Sequence, residues 1–120
     1  MADLNSLELT LKELKRPGDV IEATLVSRSG MHIAGEVPKT AHMETFVAMN
    51  AIIMGAAESI TSEIKEDLEN VVVNLKDSKI LITDAGPKAV LVLRVKKDAP
   101  LKAVFHDIEK NMERISRSLA

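Results

Sequence analysis

Three histidines, His32, His42 and His106, are the side chains of this 120-residue chain best suited to hold a metal ion. A zinc site on one helical face needs two ligands four residues apart, and neither His42-Met43-Glu44 nor His106-Asp107 has that spacing. The chain contains no cysteine, which removes thiolate ligands, thiol nucleophiles and disulfides together. The histidines therefore read as solvent or rim residues, and no metal is expected. "SRSGMHIAG" (Ser27–Gly35) has two glycines but lacks the Gly-Lys-Ser/Thr ending of a phosphate-binding loop. No serine or histidine stands in a recognisable nucleophile–base pattern. The expectation is a protein with no catalytic residue of its own and no cofactor.

Chemistry performed on a partner is a separate matter. An arginine supplied in trans can stabilise phosphoryl transfer on another protein. Arg28, on an expected hairpin turn, has the local setting that suits reaching out; Arg94 falls in a strand, and Arg114 and Arg117 fall on the last helix. A solvated turn residue is the plainer account of Arg28. The run "SEIKEDLE" places Glu63, Glu66, Asp67 and Glu69 at the expected end of a helix, where the dipole disfavours negative charge. It reads either as a solvated acidic end partly paired with Lys65, or as a docking patch, centred on Glu66 and Glu69, for a basic surface.

Whole-chain properties narrow the class. Hydrophobic residues make up 46% and charged residues 28%, with a formal net charge of −2, as in an ordinary single globular domain. The only aromatic residues are Phe46 and Phe105. A nucleic-acid partner is not expected, because there is neither a basic face nor a set of stacking rings. The N-terminus lacks the basic and apolar regions of a secretion signal. The uncharged stretch Thr45–Ala57 is too short for a bilayer, which takes about 20 residues. A cytoplasmic protein without membrane insertion is the expectation.

The elements that must position these residues follow from periodicity and punctuation. Leu4, Leu7, Leu11 and Leu14 share one face of a helix that Asp3 can cap and "RPGD" ends. "VIEATLVS" (20–27) and "MHIAGEV" (31–37) read as a hairpin, with Gly30 supplying the positive φ of its turn. Thr40 is placed to cap a long helix running to about Leu68. "NVVVNL" (70–75), "KILIT" (79–83) and "AVLVLRV" (89–95) are three further strands joined by turn residues. The last two are apolar on both faces, which requires a sheet covered on both sides. Asp98 is placed to cap a last helix whose Leu101, Val104, Phe105, Ile108, Met112, Ile115 and Leu119 fall on one arc. The fold class is α+β, in the order helix, two strands, helix, three strands, helix, as one domain over residues 1–120.

The central helix poses a problem, because it is apolar almost all the way round. Phe46, Met49, Ile53, Ile60 and Ile64 form one stripe, read as the partner of the sheet. Met43, Val47, Asn50, Ala51, Met54 and Gly55 then lie on the other sides. Either other parts of the same chain cover them, or a second copy does. Small residues at Ala48, Ala51, Gly55 and Ser59 permit close helix approach. The valines of "VVVN" would make a sticky sheet edge if left bare. A symmetric dimer burying both features has as interface residues Val47, Asn50, Ala51, Met54, Gly55, Val71, Val72 and Val73.

The order of elements, and three stretches within it, resemble the Roadblock family of dynein-light-chain-like domains. These are the hairpin "ATLVSRSGMHIAG", the helix "METFVAMNAIIMGAAESI" and "ENVVVNLKDSKILITDAGPKAVLVLRV", followed by a closing helix. The chain has Ser29-Gly30 where many members have Asp-Gly, and "APLKAVF" where many have an Asn-Leu-Gly type of helix entry. The resemblance implies a profilin-like architecture, a five-stranded antiparallel sheet with helices on both faces. It also implies a homodimer through the central helix and third strand, and a role as adaptor or regulator of a Ras-like small GTPase. A small-molecule-sensing domain and a purely structural dimerisation module are the alternatives.

Overall fold

The Asp3 carboxylate accepts a hydrogen bond from the Ser6 amide at 3.1 Å and so opens helix α1 (Leu4–Lys15), as its residue type foretold. In the computed structural model, which describes residues 2–120, α1 is followed by β1 (Val20–Ser27), β2 (His32–Gly35), α2 (Met43–Glu63), β3 (Val71–Asn74), β4 (Ser78–Asp84), β5 (Ala89–Lys96) and α3 (Leu101–Leu119). The strands form one sheet in the order β2-β1-β5-β4-β3, antiparallel throughout. The expected α+β class and element order hold. Strands β2 and β3 form the two edges, and β5, the most completely buried strand, lies at the centre.

Alternation along the strands sorts their side chains into two cores. Ala23, Leu25, Leu81, Leu91, Leu93 and Val95 point to the layer made by α1 and α3 and meet Leu7, Leu11, Val104, Ile108 and Ile115. Val26, Ile82, Val90 and Val92 point the other way, to α2. This is why β4 and β5 read as apolar on both faces. Leu4 and Leu9 remain exposed on α1. The Arg114 guanidinium donates to Glu13 at 2.6 Å, which ties α3 to α1.

Boundaries differ from expectation at three caps. The N-cap of α2 is His42, with Thr40 in the preceding turn, and the N-cap of α3 is Pro100, not Asp98. Helix α2 also stops at Glu63, short of Leu68, because the chain turns left-handed at Lys65 (φ 57°). The Lys65 and Glu66 amides then donate back to the Ser62 and Thr61 carbonyls, both at 3.1 Å. This pair of bonds satisfies the last turn in the manner glycine usually allows. A lysine there gives the sequence no stop signal. Glu66, Asp67 and Glu69 consequently lie beyond the helix, and the expected conflict with its dipole reduces to Glu63.

Candidate functional site

Helix α2 is apolar on two sides, and only one of them meets the sheet. The structure reverses the expected assignment. Val47 (2% exposed), Asn50 (4%) and Met54 (1%) pack inward, and Ala51 and Phe46 are half-buried beside them. Met49, Ile52, Ile53 and Ile60 face outward, between 37% and 66% exposed. Val47, Asn50 and Met54, expected at a dimer interface, are buried within the single chain: Val47 and Met54 in the core against the sheet, and Asn50 beside them at the wall of an open groove. The wheel could not separate the sides, since either arc offers enough apolar surface for a sheet. Of the other expected interface residues, Gly55 is exposed, Val71 and Val73 are half-buried toward α2, and Val72 is exposed on the opposite sheet face.

Met49 and Ile53 of the outward apolar face lie on the side nearest β3. Between helix and strand runs an open groove of about 440 Å³, lined by His42, Thr45, Phe46, Met49, Asn50 and Ile53 of the helix region and by Val73 and Ile80 of the sheet. Strand β3 pairs with β4 on one side and is an edge on the other. Groove, helix face and open strand edge form one continuous surface.

Asn50 is the polar residue in this apolar setting. Its Nδ2 donates to the Phe46 carbonyl at 2.8 Å, one helical turn back. Its Oδ1 is buried and has no hydrogen-bond partner among the described residues. An acceptor left in that state costs about 1–3 kcal/mol.

Arg28 does not reach out. Its Nη1 donates to Glu58 of α2 at 2.7 Å, its Nη2 to Asp84 at the end of β4 at 2.5 Å, and its Nε to the Gly86 carbonyl at 3.1 Å. The hydrogen bond to Glu58 is the largest influence holding its pKa above the ordinary arginine value; burial opposes it, and Asp84 adds to the rise. The residue is a clasp between the first hairpin, α2 and the β4–β5 turn. Arg94 is likewise held, in a two-pronged pair with Glu22 at 2.6 and 2.7 Å that raises its pKa.

The expected docking carboxylates are exposed but do not share one depression. Glu66 borders a hollow with Glu58, Asp67, Asp84 and Lys65. Glu69 instead lines a groove of about 720 Å³ beneath α3, with Asp84, Lys102, Phe105, His106 and Glu109. His32 is engaged with the Gly35 carbonyl at 2.8 Å, His42 occupies the N-cap position of α2 without a side-chain capping bond, and His106 is exposed on α3 where it borders that groove. These positions do not converge, and no group of three potential metal-ligating side chains forms among the described residues. No helix there is long and apolar enough to cross a membrane.

Sequence reasoning missed Glu58 and Asp84 as holders of Arg28, because they lie 30 and 56 residues away. It also missed Ile52 as an outward residue. The signal for Ile52 was present, since Ile52 falls opposite Val47 and Met54 on the helical wheel.

Comparison with known proteins agrees with this geometry. The Roadblock/LC7 domain matches residues 6–94. A Methanocaldococcus jannaschii relative, the uncharacterized protein MJ0714, is 33% identical over 88 residues, spanning 72% of this chain and 75% of its own. The gliding protein MglB of Thermus thermophilus superposes with a TM-score of 0.86 at 22% identity, over 99% of this chain and 92% of that one. Myxococcus xanthus MglB does so with a TM-score of 0.87 at 16% identity, over 96% and 95%. The two structures share the fold, and the sequence matches carry the relationship further: the chain belongs to the Roadblock/LC7 domain family.

Proposed function

We propose that this chain acts in the cytoplasm as a symmetric homodimer that binds and regulates a Ras-like small GTPase. The observation that carries the dimer is the unbroken surface made by Met49, Ile52, Ile53 and Ile60, the groove beside them and the edge of β3. A row of large apolar side chains next to unpaired strand groups is costly in water and hazardous for aggregation. A two-fold copy covers both at once, since the same patch meets itself. It also closes the groove, which is why the groove reads as half of an interface in preference to a small-molecule pocket.

The GTPase assignment rests on family membership. Arg28 is bound into its own fold, so any acceleration of hydrolysis would come from ordering the GTPase's own groups and not from an inserted arginine. The test is to pass lysate of the source organism over the immobilised protein, in parallel with a GTP analogue and with GDP. Preferential retention of a Ras-like GTPase in the analogue arm supports a regulator, and equal retention supports a scaffold. A lysate that contains such a GTPase and yields none in either arm overturns the assignment.

A further inference from the structure

We infer that Asn50 is a specificity-determining contact of the dimer, a polar point that fixes how two copies align. The inference rests on the homodimer proposed above and deepens it. Three observations converge on this residue. The Asn50 side chain is almost fully buried yet lines the groove between α2 and β3, whose remaining helix walls are largely apolar. Its amide nitrogen is satisfied within the chain, by the Phe46 carbonyl. Its oxygen, buried in the single chain, has no partner among the described residues.

A leucine would fill such a position without any unmet hydrogen bond, so the chain carries a polar atom where its own fold has no use for one. A single buried asparagine is known to set register and oligomeric state in helical assemblies, because wrong alignments leave it unpaired. The groove beside Asn50 is open and walled by Met49 and Phe46, an unbranched thioether and a ring that can shift. A second copy presents an identical face, which carries hydroxyl and imidazole donors in Thr45 and His42. A donor arriving from that copy satisfies the Asn50 oxygen only in the correct alignment.

This assigns opposite signs to two measurements on one variant. In Asn50→Leu the isolated chain no longer buries an unmet acceptor, so at a dilution where both proteins are monomeric the variant should melt higher. Association no longer relieves that acceptor, so its dimer dissociation constant, from sedimentation velocity over a dilution series, should rise about tenfold or more. A higher melting temperature with an unchanged dissociation constant overturns the inference and leaves the dimer standing. A wild-type chain that stays monomeric at every concentration overturns the dimer itself. Should Asn50→Leu fail to fold, the wild-type protein supplies the answer through the carbonyl carbon resonance of the Asn50 side chain. A downfield move on going from dilute to concentrated protein supports the inference, and no movement overturns it.

Discussion

At Gly35 the backbone has φ +88°, and a Cβ built there would lie 2.1 Å from the Ala23 carbonyl oxygen and 2.9 Å from Leu11. Strand β2 is pressed against β1 and α1 at this point, and the Glu8 carboxylate accepts from the Gly35 amide at 3.1 Å. Gly18 has a similar φ of +90° with open space around it. Gly18→Ala should therefore cost only the left-handed backbone penalty, about 1–2 kcal/mol, whereas Gly35→Ala should cost more than about 3 kcal/mol. Urea unfolding of both variants separates conformation from collision. Arg28 makes a different argument. Its two carboxylate partners are partly exposed, so Arg28→Gln should cost about 1 kcal/mol after allowance for solvent screening. An arginine pKa that folding raises gives stability that is fully present below the unfolded value and is lost only as pH rises through the folded one. Both lie beyond the range of ordinary buffers. The gap in melting temperature between wild type and Arg28→Gln should then stay constant from about pH 7 to pH 10.

Helix α2 concentrates the questions at the scale of elements. Met54 fills the layer between helix and sheet with Val26, Ile82, Val90 and Val92, so Met54→Ala should destabilise the isolated chain by about 3 kcal/mol. Ile53, 37% exposed at the groove, should accept Lys with less than about 0.5 kcal/mol change, because the long side chain can carry its charge to water. In the dimer the same substitution brings a charge to the seam from both copies, and association should weaken by about two orders of magnitude. Denaturant melts at high dilution and sedimentation velocity at high concentration read these two effects apart. The helix also marks how far the sequence could be read. Strands and hairpins were legible, since β-branched runs broken by Gly30 and by "DAGPK" leave few other ways to fold. The buried arc of α3 was legible because its remaining faces are charged. The buried arc of α2 was not, because hydrophobicity on both arcs erases the contrast that a helical wheel measures. The clasp on Arg28 was equally out of reach, since Glu58 and Asp84 approach it only after the sheet has formed. Nor does any local pattern announce that the Asn50 oxygen lacks a donor; that depends on which carbonyl its nitrogen finds.

At the scale of the whole molecule, the apolar and the charged surfaces are separate, and that separation makes the partner site testable. The outer face of α2 and the β3 edge suit a second copy, while the carboxylates gather at the far end of α2, where Glu66 joins Glu58, Asp67 and Asp84 around a hollow. Arg28 is committed to Glu58 and Asp84, and Glu66 and Glu69 are exposed charges that enter no ion pair among the described residues. If they form a docking patch for a basic surface of the GTPase, their contribution is chiefly electrostatic: it steers encounter and weakens with added salt. Reversal of both, Glu66→Lys with Glu69→Lys, should leave the melting temperature within about 2 °C of wild type, because neither side chain supports the core. It should also leave dimerisation intact, since neither lies on the outer face of α2 or in its groove. Binding to the GTPase should fall at least about tenfold at low ionic strength, mainly through a slower association rate. The difference between variant and wild type should shrink as salt is raised. Surface plasmon resonance with the GTPase identified by affinity capture, at two salt concentrations, reads both quantities. Unchanged association in low salt removes from the partner site both the acidic hollow at this end of the helix and the Glu69 side of the groove beneath α3, and with them the docking patch itself.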